Sequence, residues 1–242
     1  ILGTLLGGFM GQGWGLTSVF IFECAGTLFA LVASAVGMPA LPVDAVMAKR
    51  IKSGVAACCG DVAFVFKHFM PEVRTIGVYC VSLAVVRNGR NIVLPLAGDN
   101  VGLTESTIGI ILSVSFLVDA LFFPAAGKLM DARGRKAAGV PSAAIQGAAY
   151  LLVPFAFVSG VTSSGGLAIL TLAGAIAGGG NGLSSGLNMC LSADIAPFDK
   201  RGQFLGVFRF ITDTGLLLAP ILVGAATEAV GLGGAAIMVG LV

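Results

Sequence analysis

The sequence predicts an all-α, polytopic membrane bundle, and three observations carry that prediction. Hydrophobic residues make up 57% of the chain and charged residues 11%, too little polarity to clothe a surface that faces water. The apolar residues gather into runs near 20 residues, the length a helix needs to cross about 30 Å of hydrocarbon. The basic residues fall in alternate intervals between those runs, as a chain threading a bilayer requires.

In chain order, the complete runs cover about 16–37, 75–97, 106–127, 137–158, 165–190 and 203–227. Apolar segments at Ile1–Met10 and Gly233–Val242 are too short to cross alone, so the chain reads as the interior of a longer protein. The first run carries Glu23 and follows Trp14, an aromatic anchor at a membrane interface. Residues 38–74 form the longest polar interval, punctuated by Pro39, Pro42 and Pro71, and read as a linker. Within it, Val55–Phe69 is apolar enough to lie along the membrane surface as an amphipathic helix. His68, the single histidine, sits at that helix's edge and reads as a solvated residue rather than a proton sensor.

The five later runs hold the polar residues of interest: Arg87 and Arg90, then Asp119, then Gln146, then Asn181 and Asn188 after the Gly178–Gly180 run, and finally Arg209 and Asp213. Alternating the runs across a membrane places the intervals 38–74, 128–136 and 199–201 on one side. Those intervals hold Lys49, Arg50, Lys52, Lys67, Arg74, Lys128, Arg133, Arg135, Lys136, Lys200 and Arg201, and every other Lys or Arg lies inside a run. The asymmetry makes these intervals cytoplasmic. The opposite intervals are short and carry Asp99, Glu105 and Glu228.

The strongest local pattern is Gly127-Lys128-Leu129-Met130-Asp131-Ala132-Arg133-Gly134-Arg135-Lys136, a turn between two runs. Gly127 and Gly134 suit a tight turn, Asp131 suits the free amides of a helix N-terminus, and Arg135 and Lys136 keep the basic side. The stretch resembles the signature loop of the major facilitator superfamily, Gly-x-Leu-x-Asp-x-x-Gly-Arg followed by a basic residue. The resemblance extends over the run order, the long middle linker and the Gly-rich segments, which look like the fifth to twelfth spans of that family. It implies that residues 1–37 end an N-terminal six-helix half, that 38–74 join the halves, and that 75–242 form spans 7 to 11 and part of span 12. The missing N-terminal spans would then be a partner in the same chain. It also implies a conformational latch at this loop, with Asp194 as the partner of Arg135. One antiporter feature is imperfect: Gly3-Thr4-Leu5-Leu6-Gly7-Gly8 has Thr where those members carry Pro.

Charges inside apolar runs are expensive and mark function. Arg87, Arg90 and Arg209 balance Glu23, Asp119 and Asp213, which predicts a network rather than bare charges. Counting about 1.5 Å per residue from the cytoplasmic ends sets Arg87 near the depth of Asp213 and Asp119 near that of Arg209. Arg209 and Asp213 are also spaced to pair within one helix, and the sequence leaves these pairings open. Asp119 and Asp213 are candidates for proton or ion coupling, Arg87 and Arg90 for binding an anionic solute. Asn181 and Asn188, about two turns apart on one helix face, are candidates for a polar cavity wall.

Enzyme chemistry finds no foothold: the chain has no phosphate-binding Gly-Lys-Ser/Thr loop, no metal cluster, and no nucleophile with a base. Cys24, Cys80 and Cys190 lie within runs and Cys58 and Cys59 are adjacent, spacings that fit neither a zinc site nor a disulfide framework. The formal net charge of +2 gives no reason to expect nucleic acid. No cofactor is expected. The reading is a secondary transporter in a cell membrane, moving a small organic solute by alternating access with protons or another coupling ion, most simply as an exporter. The alternatives are an importer or facilitator of an organic anion and a non-transporting sensor or scaffold on the same fold.

Overall fold

A computed structural model describes Gly13, residues 16–37, Gly60 and residues 62–158 and 163–241. The described residues are 94% helical with no strand. Helix α1 spans Leu16–Gly37, matching the first run. The opening apolar segment, the Gly3–Gly8 motif, Trp14 and residues 38–59 fall outside the described residues, as does the side chain of Glu23.

Helix α2 covers Val62–His68, the described part of the expected surface helix, and meets α3 (Met70–Asn100) at a bend of 89°. Helix α3 includes a π-helical turn at Val73–Gly77. Val65 of α2 is fully buried against Phe204 and Phe208. Phe69 meets Phe204 edge-on at 5.1 Å between ring centroids, so α2 is fastened to the start of the last long helix. Lys200 sits 3.9 Å over the Phe64 ring. His68 stays exposed, its Nδ1 3.0 Å from the Phe64 carbonyl oxygen.

The spans continue with α4 (Glu105–Arg133), α5 (Arg135–Phe157, its last turn 3-10), α6 (Ser163–Leu183), α7 (Leu187–Ile195) and α8 (Arg201–Leu241). Four of the described helical stretches are long and apolar enough to cross a membrane, and five if the bent α2–α3 pair counts as one span. Helix α6 packs between α4 and α5, while α8 lies along α3. The core is small side chains and branched aliphatics, including Val93, Ile111, Leu170 and Ala236. Large residues such as Leu121, Leu217 and Ile221 point outward, an inside-out distribution suited to lipid.

The interval 128–136 holds the expected tight turn, with α4 helical to Arg133 and only Gly134 separating it from α5. Two expectations are corrected here. Gly134 has φ 83° and ψ 171°, a region open essentially to glycine alone, so it makes the turn. Gly127 lies inside α4 and takes no part in it. Asp131 likewise caps no helix. It lies in the last turns of α4, 3.7 Å from Arg135.

Helix α8 is 41 residues long, about 60 Å and twice the hydrocarbon thickness. Gly231, at φ 74° and ψ 170°, resolves the contradiction by reversing the chain. Beyond it, Gly233 packs near Pro154 and Phe157, and Gly240 reaches Gly147 and Tyr150. The final apolar segment therefore returns antiparallel to α5.

Candidate functional site

Glycines set the site's geometry. A Cβ at Gly178 would collide with the Ser115 carbonyl oxygen, and one at Gly182 with the Asp119 carbonyl oxygen and the Phe122 side chain. These two glycines, four apart, lay the backbone of α6 on that of α4, the small-xxx-small contact of lipid-embedded helices. Gly180 faces the other way, where a Cβ would lie 3.0 Å from the Ser142 carbonyl oxygen. The Ser142 hydroxyl donates to the Gly180 carbonyl at 2.7 Å, and Gln146 donates to that hydroxyl at 3.0 Å. Gln146 thus supports the α5–α6 contact through Ser142.

At the level of Gly182, three helices put charge and amide together. Arg90 of α3 pairs with Asp119 of α4 at 3.3 Å between Nη2 and Oδ2. The same guanidinium donates from Nη1 to the Ser115 hydroxyl at 3.2 Å and lies 4.8 Å from the Phe116 ring centroid. Asn181 of α6 donates from Nδ2 to the same Asp119 Oδ2. Arg90 is 4% exposed and Asp119 6%, so the pair is withdrawn from water and from lipid. Arg90 Nε, Asp119 Oδ1 and Asn181 Oδ1 are buried without a protein hydrogen-bond partner. A buried charged pair with unspent hydrogen-bonding capacity is poorly stabilised compared with apolar packing and is suited to changing partners.

Arg87, one turn from Arg90, is held separately. Its Nη2 donates to the carbonyl and hydroxyl oxygens of Ser184, each at 2.9 Å. Ser184 lies in the break between α6 and α7, which ends at Gly186 with φ 75°. That break overturns the expectation that Asn181 and Asn188 share one continuous helix face. Asn181 joins the Arg90–Asp119 pair, whereas Asn188 lies on α7 and lines a cavity beside Arg209. Of the pairings left open by sequence, Arg209 and Asp213 bond within α8 at 2.9 Å. Neither Arg87 with Asp213 nor Asp119 with Arg209 appears among the ion pairs of the described residues. Tyr150, which the sequence did not single out, donates to the Val86 carbonyl and ties α5 to α3 one turn from Arg90. The run of aromatics and small residues around it offers no pattern that separates it from ordinary core.

At the basic end, Arg135 Nε meets Asp194 Oδ2 at 3.0 Å, Arg135 Nη1 donates to the Met130 carbonyl at 3.3 Å, and Asp131 lies within ion-pair reach. The signature residues Asp131, Gly134 and Arg135 and the partner Asp194 are therefore brought together across α4, α5 and α7. Lys136 is exposed beside them and makes no ion pair among the described residues.

Among the described residues, no group of three or more His, Cys, Asp or Glu is placed to hold a metal ion. A family model, the Major Facilitator Superfamily, matches residues 76–242. No curated protein and no solved structure matches the chain. The match covers α3 from its second turn to the end of the chain and includes the buried pair, the single-residue turn at Gly134 and the Arg135–Asp194 contact. Proteins of this family are transporters rather than enzymes, and they are embedded in membranes by several spans. The chain belongs to the major facilitator superfamily and is a multi-pass membrane transporter of that kind.

Proposed function

We propose that the protein is a proton-coupled transporter of a small organic solute and that Asp119 is the coupling group. The observation that carries this is the buried contact of Arg90, Asp119 and Asn181 at the junction of α3, α4 and α6. Protonating Asp119 removes the charge that Arg90 faces, and an unpaired buried guanidinium is costly. Arg90 keeps only the Ser115 hydroxyl, and the three helices shift relative to one another. Asn181 follows the carboxylate and carries that change toward the Ser184–Gly186 break. The basic end, with its Arg135–Asp194 contact, is assigned to the cytoplasm of a cell membrane by its Lys and Arg content. There the contact acts as a latch released when α7 moves against α5. The other wall of the pathway comes from the N-terminal half to which residues 1–37 belong, joined through the 38–74 linker.

The test is solute uptake by vesicles holding the full-length protein, with wild type compared to Asp119→Asn and Asp213→Asn at equal folded protein. Loss of pH-gradient dependence in Asp119→Asn, with solute exchange across equal pH retained, is the expected result. Unchanged gradient dependence would remove Asp119 from coupling. The sign of the gradient that drives accumulation also reports direction, for which we propose export.

A further inference from the structure

Arg209 differs from the other membrane arginines in what it leaves free. Arg87 is bound by Ser184, and Arg90 by Ser115 and Asp119. Arg209 uses only Nε, on Asp213, and its side chain is 65% exposed. Both of its terminal amino groups are without a protein acceptor among the described residues.

This guanidinium borders a cavity of about 500 Å³ between α7 and α8, a size that suits a small organic molecule. Met189 and Leu205 supply an apolar wall, and Arg209 is the one charged residue lining it among the described residues. Asp213 does not line it, so the cavity meets the cation and not its partner. The Thr212 hydroxyl is committed to the Phe208 carbonyl. The cavity therefore offers an apolar bed and a planar two-pronged cation. We infer that it binds an organic anion: an aromatic or aliphatic body on Met189 and Leu205 and an acidic group on the Arg209 amino groups. A guanidinium edge takes a carboxylate through two parallel hydrogen bonds. Naming this ligand as cargo rests on the transport reading above, while the binding itself does not.

Three probes with one body separate the chemistry: 3-(4-hydroxyphenyl)propionate, tyramine and tyrosol, which carry an anionic, a cationic and a neutral end. Equilibrium dialysis is run on the purified full-length protein in lipid nanodiscs. The anionic probe should bind at least about tenfold more tightly than the other two, the scale of charge-assisted hydrogen bonds. Arg209→Gln should lose about that factor and Arg209→Lys part of it. Asp213→Asn leaves the guanidinium in place and should hold or strengthen binding. Equal binding of the three probes, or undiminished anion binding in Arg209→Gln, overturns the inference. If Arg209→Gln does not fold, weaker anion binding in Asp213→Asn overturns it instead. Vesicle uptake distinguishes the two proposals. Anion binding without any solute flux sinks the transport reading alone, whereas flux of tyramine without anion binding sinks only this one.

Discussion

Arg90 and Asp119 show how far single residues can be read. That they are functional candidates follows from charge in an apolar run, but their pairing does not follow from depth counted to expected helix ends. With α4 continuing to Arg133, Asp119 lies about 21 Å from its basic end, close to the roughly 24 Å of Arg90 counted from Arg74. The error lay in where a helix stops, not in the chemistry of the residues. Replacing Arg90 with Gln strands a buried carboxylate and should lower stability by about 3–5 kcal/mol. Asp119→Asn strands the buried Arg90 guanidinium instead and should cost a similar amount. Thermal unfolding of the full-length protein in detergent measures both, and unchanged stability in either variant would mean that the buried pair carries no structural weight.

The order of the elements was legible, since hydropathy alone reports the thickness of a bilayer. Their ends and breaks were less so, because one glycine can halt a helix or simply let two helices touch. Gly178–Gly180 read as a run, yet the working pair is Gly178 with Gly182, spaced so that both meet α4. Gly182→Leu should push α4 from α6 and abolish folded yield, while Gly179→Ala, whose added methyl meets only side chains at 3.7 Å, should be tolerated. Size-exclusion profiles in detergent compare them directly. At the turns, Gly134→Ala and Gly231→Ala force a side chain into a region of backbone space that excludes it. Each should lose about 1–3 kcal/mol, whereas Gly206→Ala, with open space around its added methyl, should not. Equal stability of all three would mean that these turns relax into another conformation.

At the scale of the whole molecule, the alternation of basic and non-basic ends and the inside-out core tell one story. Charge in the intervals orders the chain across the bilayer, and small residues in the spans let it pack once there. The sequence conveyed that plan because both signals are compositional. It could not convey which helices meet, since that depends on the facing of a few glycines and hydroxyls. A membrane-impermeant thiol reagent tests the arrangement in the full-length protein. Lys136→Cys should label from the cytoplasmic side and Glu105→Cys from the other, each scored above the wild-type background. Labelling of both from one side would refute the topology.

The turn at Gly134 also constrains how this region can vary in length. A connection of one residue has no slack, so an inserted residue cannot be absorbed there as it would be in a surface loop. It would advance α5 by one position, turning the helix about 100° on its axis. Tyr150 would swing away from Val86, Ser142 from Gly180, and Arg135 from Asp194 in a single event. Insertions and deletions should therefore be excluded from this joint even where substitutions are accepted, and an epitope tag placed there should disable a protein that carries the same tag harmlessly in a longer connection.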